Sequence, residues 1–513
     1  MPPFRDRIAR FAVRSRGTFA LEMFALWAAV VLASLAFLPL DVFVPGTPLF
    51  LLVLGPLALW RWSWGGLHFA RAVVFSRITY PRMARRARAV APRANHVGVI
   101  VMSWRIDPQV HAAVMDGIVG DLADYGAPAT LVLSASDPAD AVGLEAALER
   151  HRASNVRAVV AYQAGKGKRH GMYEALHVLA ATGAPRNGIT LLMDGDTYVP
   201  RGTLARTAPI LLADRRIGAL TIDNIPLVAG SALTREWYRL RMAQRYVYMC
   251  SLALSRKVLV LTGRWSLFRG ELAMHPAFAS QVLHDTVYHP RLGRIEMLTG
   301  EDKSTWHFVA SRGWDTLFVP DVFICPMEEL PQGGFVPATF RLMIRWFGNM
   351  VRGGARGLAI GPRRLGLFPW IVLLDQRVSM WTSLTAPLFF TVLAAVFDWR
   401  FLALFALWVS LSRLAQGVLV GAISRRFHVA FVYLLFYGQV AGAVAKLFVF
   451  FHPHVQRWTR QQTGDATKAS SPMSRVLLAL SIAVFVMVVF HAVDIASRRS
   501  LPTSSSEVLS DAR

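Results

Sequence analysis

Leu21 to Leu40 is a run of about 20 residues, the length that crosses a bilayer core, and its one charge is Glu22. A second apolar run, Thr47 to Trp64, follows after one short turn. The basic stretch RDRIARFAVRSR and the small residues around Ala33 also fit a cleaved signal sequence, but a second run so close behind predicts an anchored hairpin. Composition agrees, since 54% hydrophobic residues and a mean hydropathy of +0.39 are too apolar for an ordinary soluble protein. The net charge of +24, from 56 basic and 32 acidic residues, would by itself fit nucleic acid, anionic lipid or an anionic substrate. Its location decides, because basic residues flank the apolar runs, as in RITYPRMARRARAVAPR after the second. That is the pattern of cytoplasmic loops, so nucleic acid is excluded and the chain after Trp64 is expected in the cytosol. Cys250 and Cys325, the two cysteines, provide neither a disulfide framework nor a CxxC metal site.

The middle of the chain alternates. HVGVIVMSW, ATLVLSA, VRAVVAY and GITLLMDGD read as strands, separated by helical patterns at Pro108 to Tyr125, Val142 to His151 and Met172 to Ala181. Such alternation predicts a parallel α/β sheet of Rossmann type, whose ligands gather at the carboxyl ends of its strands. After Pro362 come an amphipathic piece near Leu365 to Leu374 and the runs Met380 to Phe397, Phe401 to Ile423, His428 to Phe451 and Val476 to Val493. A single crossing by His428 to Phe451 would put the basic loop HPHVQRWTRQQTGDATK outside, against the charge rule. A broken or partly interfacial segment is therefore expected there, with Gly438 and Gly442 permitting it. The expected units are a membrane hairpin (residues 1–65), a cytosolic domain with interfacial helices (66–364), a membrane or interfacial region (365–496) and a disordered tail (497–513).

Several polar clusters carry chemistry, each with a plainer reading. Asp194-Gly195-Asp196 sets two carboxylates two residues apart at a strand end, able to hold a divalent cation on a sugar-nucleotide diphosphate; the same triplet also makes turns. GKGKRHG places Lys168 and Arg169 in a glycine-flanked loop before a helix, suited to phosphate or simply a solvated turn. LTGRWSLFRG and LTGEDKSTW are polar islands in apolar surroundings. Asp302 in the second can take a proton from an attacking hydroxyl, or Thr299 or Asp302 can cap a helix. Arg345 and Trp346 can bind a diphosphate and stack on a sugar, or sit on an interfacial helix.

In order and wording these stretches resemble family 2 glycosyltransferases of the processive type, the group of cellulose, chitin and hyaluronan synthases. Within it GKGKRHG, MDGDT, LTGRWSLFR, LTGEDKSTW, RWFGNMVR, GPRRLGLFPWIVLLDQRVSMWTSL and RWTRQ look like the corresponding stretches of mannuronan synthases, over about Arg61 to Gln461. The resemblance implies a Rossmann-like α/β glycosyltransferase domain (GT-A type) between transmembrane helices, in a bacterial inner membrane with the domain in the cytosol. It implies Asp302 as general base, and Asp194 and Asp196 as ligands of Mg2+ or Mn2+ and of the donor. Lys168, Arg169, Arg345 and Trp346 would contact nucleotide phosphates or acceptor, and Gly263, Arg264, Trp265 and Glu301 would line the acceptor site. Trp458, Thr459 and Arg460 look like a gating segment, and Arg413 and Lys446 would face a polymer channel or snorkel to the interface.

Two positions depart from the wider pattern. Leu342 stands where glutamine precedes the Arg-Trp pair, and the usual acidic base contact has only Asp137 and Asp140 as candidates. The implied reaction joins mannuronate from GDP-mannuronate into β-1,4-polymannuronate and exports it, with membrane lipid, a cyclic-di-GMP-sensing co-polymerase and periplasmic and outer-membrane export proteins as partners. A UDP-sugar synthase, or an inactive scaffold or transport subunit, is the alternative.

Overall fold

The structure, a computed structural model, describes residues 17–38, 48–90, 93–289, 292–456, 483 and 486–487. The segment Trp458 to Arg460, and all of Val476 to Val493 except residues 483, 486 and 487, lie outside the described residues. Among the described residues the first elements are α1 (Gly17–Ala36) and α2 (Pro48–Val74), the latter prolonged by a π-helical turn (Phe75–Thr79) into α3 (Tyr80–Val90).

The central domain then follows the expected alternation: β1 (Val97–Met102), α4 (Pro108–Tyr125), β2 (Ala129–Ala135), α5 (Pro138–His151), β3 (Val156–Tyr162), α6 (Lys168–Ala181) and β4 (Ile189–Asp194). Asp107 starts α4 by accepting hydrogen bonds from Gln109 and Val110 N, and Gly126 ends it in the left-handed region. Strands β3, β2, β1 and β4 pair in parallel in that order. Every residue of β1 and β2 is buried, which is why both read as unbroken apolar runs.

Beyond β4 the sheet becomes mixed. The chain adds β5 (Thr197–Tyr198), α7 (Thr203–Ala213), β6 (Ile217–Asn224), β7 (Leu227–Val228), α8 (Ala232–Ala253), β8 (Trp265–Arg269) and α9 (Gly270–Ala273). It continues through α10 (Pro276–Leu283), β9 (Thr286–His289), β10 (Gly293–Glu296), α11 (Glu301–Ser311) and β11 (Asp315–Glu328). Strand β8 is antiparallel to both β4 and β6, so it ties the DGD strand to the second half of the domain. A register shift in β11 between Val319 and Phe323 bends the strand, and its far end pairs with β5 and β7. There Met327 N donates to Asp196 O at 2.9 Å and pins the DGD turn.

Among the described residues the remaining elements are α12 (Phe335–Ile360), α13 (Pro362–Leu365), α14 (Leu367–Val396), α15 (Phe401–Ser424) and α16 (Phe431–Phe451). Among the described residues α1, α14, α15 and α16 are long and apolar enough to cross a membrane. Near its start α14 holds the domain, with Arg377 donating to Val351 O at 2.8 Å and Trp370 to Leu358 O at 3.1 Å. Near its far end Phe390 stacks on Phe405 of α15, ring centroids 4.9 Å apart. Helix α15 returns: Trp399 just before it meets Phe37 beyond the end of α1, and Arg426 just after it pairs with Asp223 at the end of β6.

Helix α16 runs unbroken through Gly438 and Gly442, so the expected break is absent. Yet both its ends touch the central domain. Phe431 packs in one cluster with Trp237 and Leu342, the Tyr437 and Thr339 hydroxyls lie 2.6 Å apart, and beyond the helix Arg352 donates to Pro453 O at 2.9 Å. It lies along α12.

Candidate functional site

The strands bring four of the singled-out motifs to one place. Lys168 Nζ lies 2.6 Å from Asp194 Oδ1 and also pairs with Glu301 Oε1. Gly263 closes the cluster: a Cβ there would stand 3.0 Å from Glu301 Oε1 and 3.1 Å from Lys168 Nζ, so a larger residue would push the ion pairs apart. Lys168 occupies the first turn of α6, where the helix dipole disfavours a cation. The two carboxylates more than offset that and the burial, and they hold the ammonium well above its usual range. Burial raises Asp194, reinforced by Asp196 and Glu301 and opposed by Lys168. Burial pushes Glu301 the same way, but Lys168 and Arg169 outweigh it and leave Glu301 below the ordinary carboxylate range.

Glu301 and Asp302 form the acidic first turn of α11, whose N-terminus favours negative charge. Gly300 precedes them at φ +82, and a Cβ on it would meet Asn349 at 2.9 Å; both facts require glycine. Asp302 Oδ1 accepts from Lys303 N at 2.9 Å. Its carboxyl is raised by burial and by Glu301, against Lys303 and Lys168. Arg245, lowered to about 10 by burial, is among the charges that face Asp302.

Behind Glu301 the chain is clasped. Gln456 Oε1 accepts from Leu298 N at 3.0 Å and Thr299 N at 3.3 Å, while its Nε2 donates to Glu296 O at 2.8 Å. Thr299 Oγ1 donates to Asn349 Oδ1 at 2.6 Å, and Arg352 donates to the same oxygen at 2.8 Å. The loop that aims Asp302 is thus held by α12 and by the chain just beyond α16.

Residues 92–349 match the family described as glycosyltransferase like family 2. The chain is 35% identical over 431 residues to a protein named Glycosyltransferase alg8 from Pseudomonas syringae pv. tomato, covering 83% of this chain and 87% of that one. The chain is a family 2 glycosyltransferase. It is also 33% identical over 461 residues to Glycosyltransferase alg8 of Azotobacter vinelandii, covering 89% of this chain and 92% of that protein. Among solved structures it is similar to the mannosyltransferase PcManGT of Pyrobaculum calidifontis in complex with GDP-Man and Mn2+, with TM-score 0.45 and 20% identity over 75% of this chain and 99% of that one.

Not every residue singled out from the sequence of this glycosyltransferase faces the cluster. Arg169 turns inward, 6% exposed, and donates to Val282 O at 2.7 Å and Thr299 O at 3.0 Å; it braces the site from behind rather than presenting its charge to a phosphate. Trp265 is fully buried in β8, packed in the sheet core instead of lining an acceptor surface. Asp140 is buried in the first turn of α5 and accepts from Ser136 N at 3.1 Å, and Asp137 caps the same helix, so both serve their own turn. Arg264 pairs with Glu328 at the end of β11.

Arg345 lies on α12 beside Trp346, whose ring stacks on Trp237 at 5.6 Å. Arg241 stands 5.7 Å from the same ring, and Arg241 and Lys446 both lie over Phe347, at 5.2 and 4.9 Å. Arg413 donates to Gln416 at 2.8 Å and also to Gln439. With Arg61 it lines a cavity of about 450 Å³ between α2, α14 and α15.

Glu328, Arg241, Arg245 and Gln456 escaped sequence reasoning. A signal existed for the arginines, because Trp237, Arg241 and Arg245 are four residues apart and so share one face of α8. None existed for Gln456, whose partners lie about 160 residues earlier in the chain.

Proposed function

We propose that this glycosyltransferase is a processive, inverting mannuronan synthase that polymerises mannuronate from GDP-mannuronate and passes the polyanion across the bacterial inner membrane. The observation that carries the reading is a line of cationic groups leading from the base toward the membrane helices. Arg245 is in electrostatic reach of Asp302, Arg241 lies one helical turn away, Lys446 is in electrostatic reach of Arg241 and Arg61, and Arg61, which pairs with Asp375 at 2.6 Å, shares a cavity with Arg413. A polyuronate carries one negative charge per sugar, and buried cations along its route would lower the cost of moving it through apolar surroundings. Trp346 offers a flat ring beside that line for a sugar to stack on.

Among the described residues no cluster of three or more metal-ligating side chains occurs. Asp194 and Asp196 nevertheless fit Mg2+ or Mn2+, since such an ion takes one or two carboxylates and completes its shell with phosphate oxygens and water. When bound it would neutralise the diphosphate of the donor. Asp302 takes the proton of the acceptor's terminal hydroxyl as that oxygen attacks the anomeric carbon. The bond from that carbon to the diphosphate breaks, and the leaving charge develops beside Lys168. One in-line displacement inverts the centre. Glu301 and Gly263 fix Lys168, and Arg352, Asn349 and Gln456 fix the loop that carries Asp302.

The arrangement of α14, α15 and α16 supports a cytosolic domain, because Arg425 and Arg426 follow α15 on the domain side and positive loops stay inside. The test is sugar incorporation by membranes holding the full chain and a co-polymerase, comparing GDP-mannuronate with UDP-glucose, UDP-glucuronate and UDP-N-acetylglucosamine. Polymer from GDP-mannuronate alone, absent with Asp302→Asn, is the expected result. Polymer from a UDP-sugar instead would overturn the donor assignment, and polymer formed by the Asp302→Asn protein would overturn the role of the base.

A further inference from the structure

A second cavity, of about 570 Å³, lies where the π-helical turn after α2, the middle of α8, the bend of β11 and the end of α15 meet. Four arginines line it, Arg77, Arg239, Arg425 and Arg426, against two acids, Asp223 and Asp321. Both acids are already neutralised. Asp223 pairs with Arg426, and Asp321 pairs with Arg88 at 2.9 Å and Arg206 at 3.0 Å. Arg239 is held by Glu236 at 2.7 Å. Arg77 and Arg425 remain, and neither makes an ion pair or a side-chain hydrogen bond among the described residues. Both are exposed.

The surroundings of these two arginines are apolar. Val73, Val74 and Ile78 on the α2 side and Phe427 on the α15 side are each 40% to 45% exposed. Arg425 directly follows the last residue of a helix long and apolar enough to span a bilayer, so this cavity stands at the level where lipid headgroups lie. Two unpaired guanidinium groups over a pocket, with an apolar rim beside them, match a molecule with a phosphate at one end and hydrocarbon at the other. Guanidinium binds phosphate oxygens in a fork, and free phosphate would leave the rim unused.

We propose that this pocket binds the phosphate of an anionic membrane lipid through Arg77 and Arg425, with the acyl chains against Val74, Ile78 and Phe427. The site is separate from the Lys168, Asp194 and Glu301 cluster. Its place between α2 and α15 lets a bound lipid join the hairpin to the far membrane helices.

Native mass spectrometry of the full-length protein in detergent tests this, with phosphatidylglycerol as probe, phosphatidylcholine as reference and inorganic phosphate as competitor. Phosphatidylglycerol should be retained preferentially, and Arg77→Gln with Arg425→Gln should weaken its retention by about tenfold or more, as expected for two basic residues at an anionic surface. Arg77→Lys with Arg425→Lys, which keeps the charge and loses the fork, should fall between wild type and the glutamine variant. Each single glutamine substitution is read as well, so that a poorly folded double variant does not decide the matter. Equal retention of phosphatidylglycerol by folded wild-type and glutamine proteins would refute the site. Inorganic phosphate that displaces the lipid at equal concentration would overturn the lipid assignment.

Discussion

Gln456→Ala isolates the clasp from the chemistry. The side chain is 2% exposed and answers the Leu298 and Thr299 N–H groups and the Glu296 carbonyl. Glu296 is itself exposed, so its carbonyl finds water after truncation, whereas Thr299 is buried. Two backbone donors lose their acceptor, each at about 1–3 kcal/mol, and partial hydration brings the local cost to about 2–4 kcal/mol. That is enough to loosen residues 298–300, which lie directly before Glu301 and Asp302. A displacement of about 1 Å in a catalytic group costs on the order of a hundredfold in rate. The turnover number should therefore fall by about that factor while the donor KM changes little, because Lys168 and Asp194 are held from α6 and β4. Gln456→Glu keeps an acceptor for both N–H groups but sets a carboxylate oxygen against Glu296 O in a buried place, so it should recover only part of the lost turnover. Steady-state sugar transfer at saturating donor, with thermal unfolding beside it, measures both. Turnover of the alanine variant within about twofold of wild type would refute the reasoning.

The other predictions concern the cluster itself. Asp302 faces Glu301, Lys303, Lys168 and Arg245, and burial with Glu301 raises its carboxyl. Since the base must be ionised, kcat/KM should fall as pH drops through that raised value, placing the acid limb above the ordinary carboxylate pKa of about 3.9; a limb at or below it would count against Asp302. Lys168→Met strands Asp194 and Glu301 beside each other, and losing one partner of a buried ion pair costs about 3–5 kcal/mol, so the unfolding temperature should drop by roughly 6 °C or more. An unchanged midpoint would show the three charges to be independent. Chelation by EDTA should abolish transfer without changing the unfolding profile, and Mg2+ or Mn2+ should restore it; activity that survives exhaustive chelation would remove the metal from Asp194 and Asp196.

Much of this molecule is written in its local patterns. Apolar runs of membrane length need no partner to declare themselves, since the lipid sets their span. Strands buried on both faces must be continuously apolar, so β1, β2 and β4 were legible before any contact was known. The DGD, GED and GKGKRHG stretches likewise stand out because polar groups in apolar surroundings are costly unless used.

Tertiary structure decided which of those polar groups share a site. Lys168 and Arg169 are neighbours in sequence, yet helical geometry points one at Asp194 and buries the other under Thr299. Trp265 sits in a conspicuous motif but faces the sheet core, and Gln456, in no motif, holds the loop that carries Asp302. Helix α16 has the length and hydropathy of a membrane span, and contacts at its two ends lay it along α12. Periodicity reports how much of a segment is apolar and in what rhythm, while direction and partnership depend on residues hundreds of positions away, which no local pattern encodes.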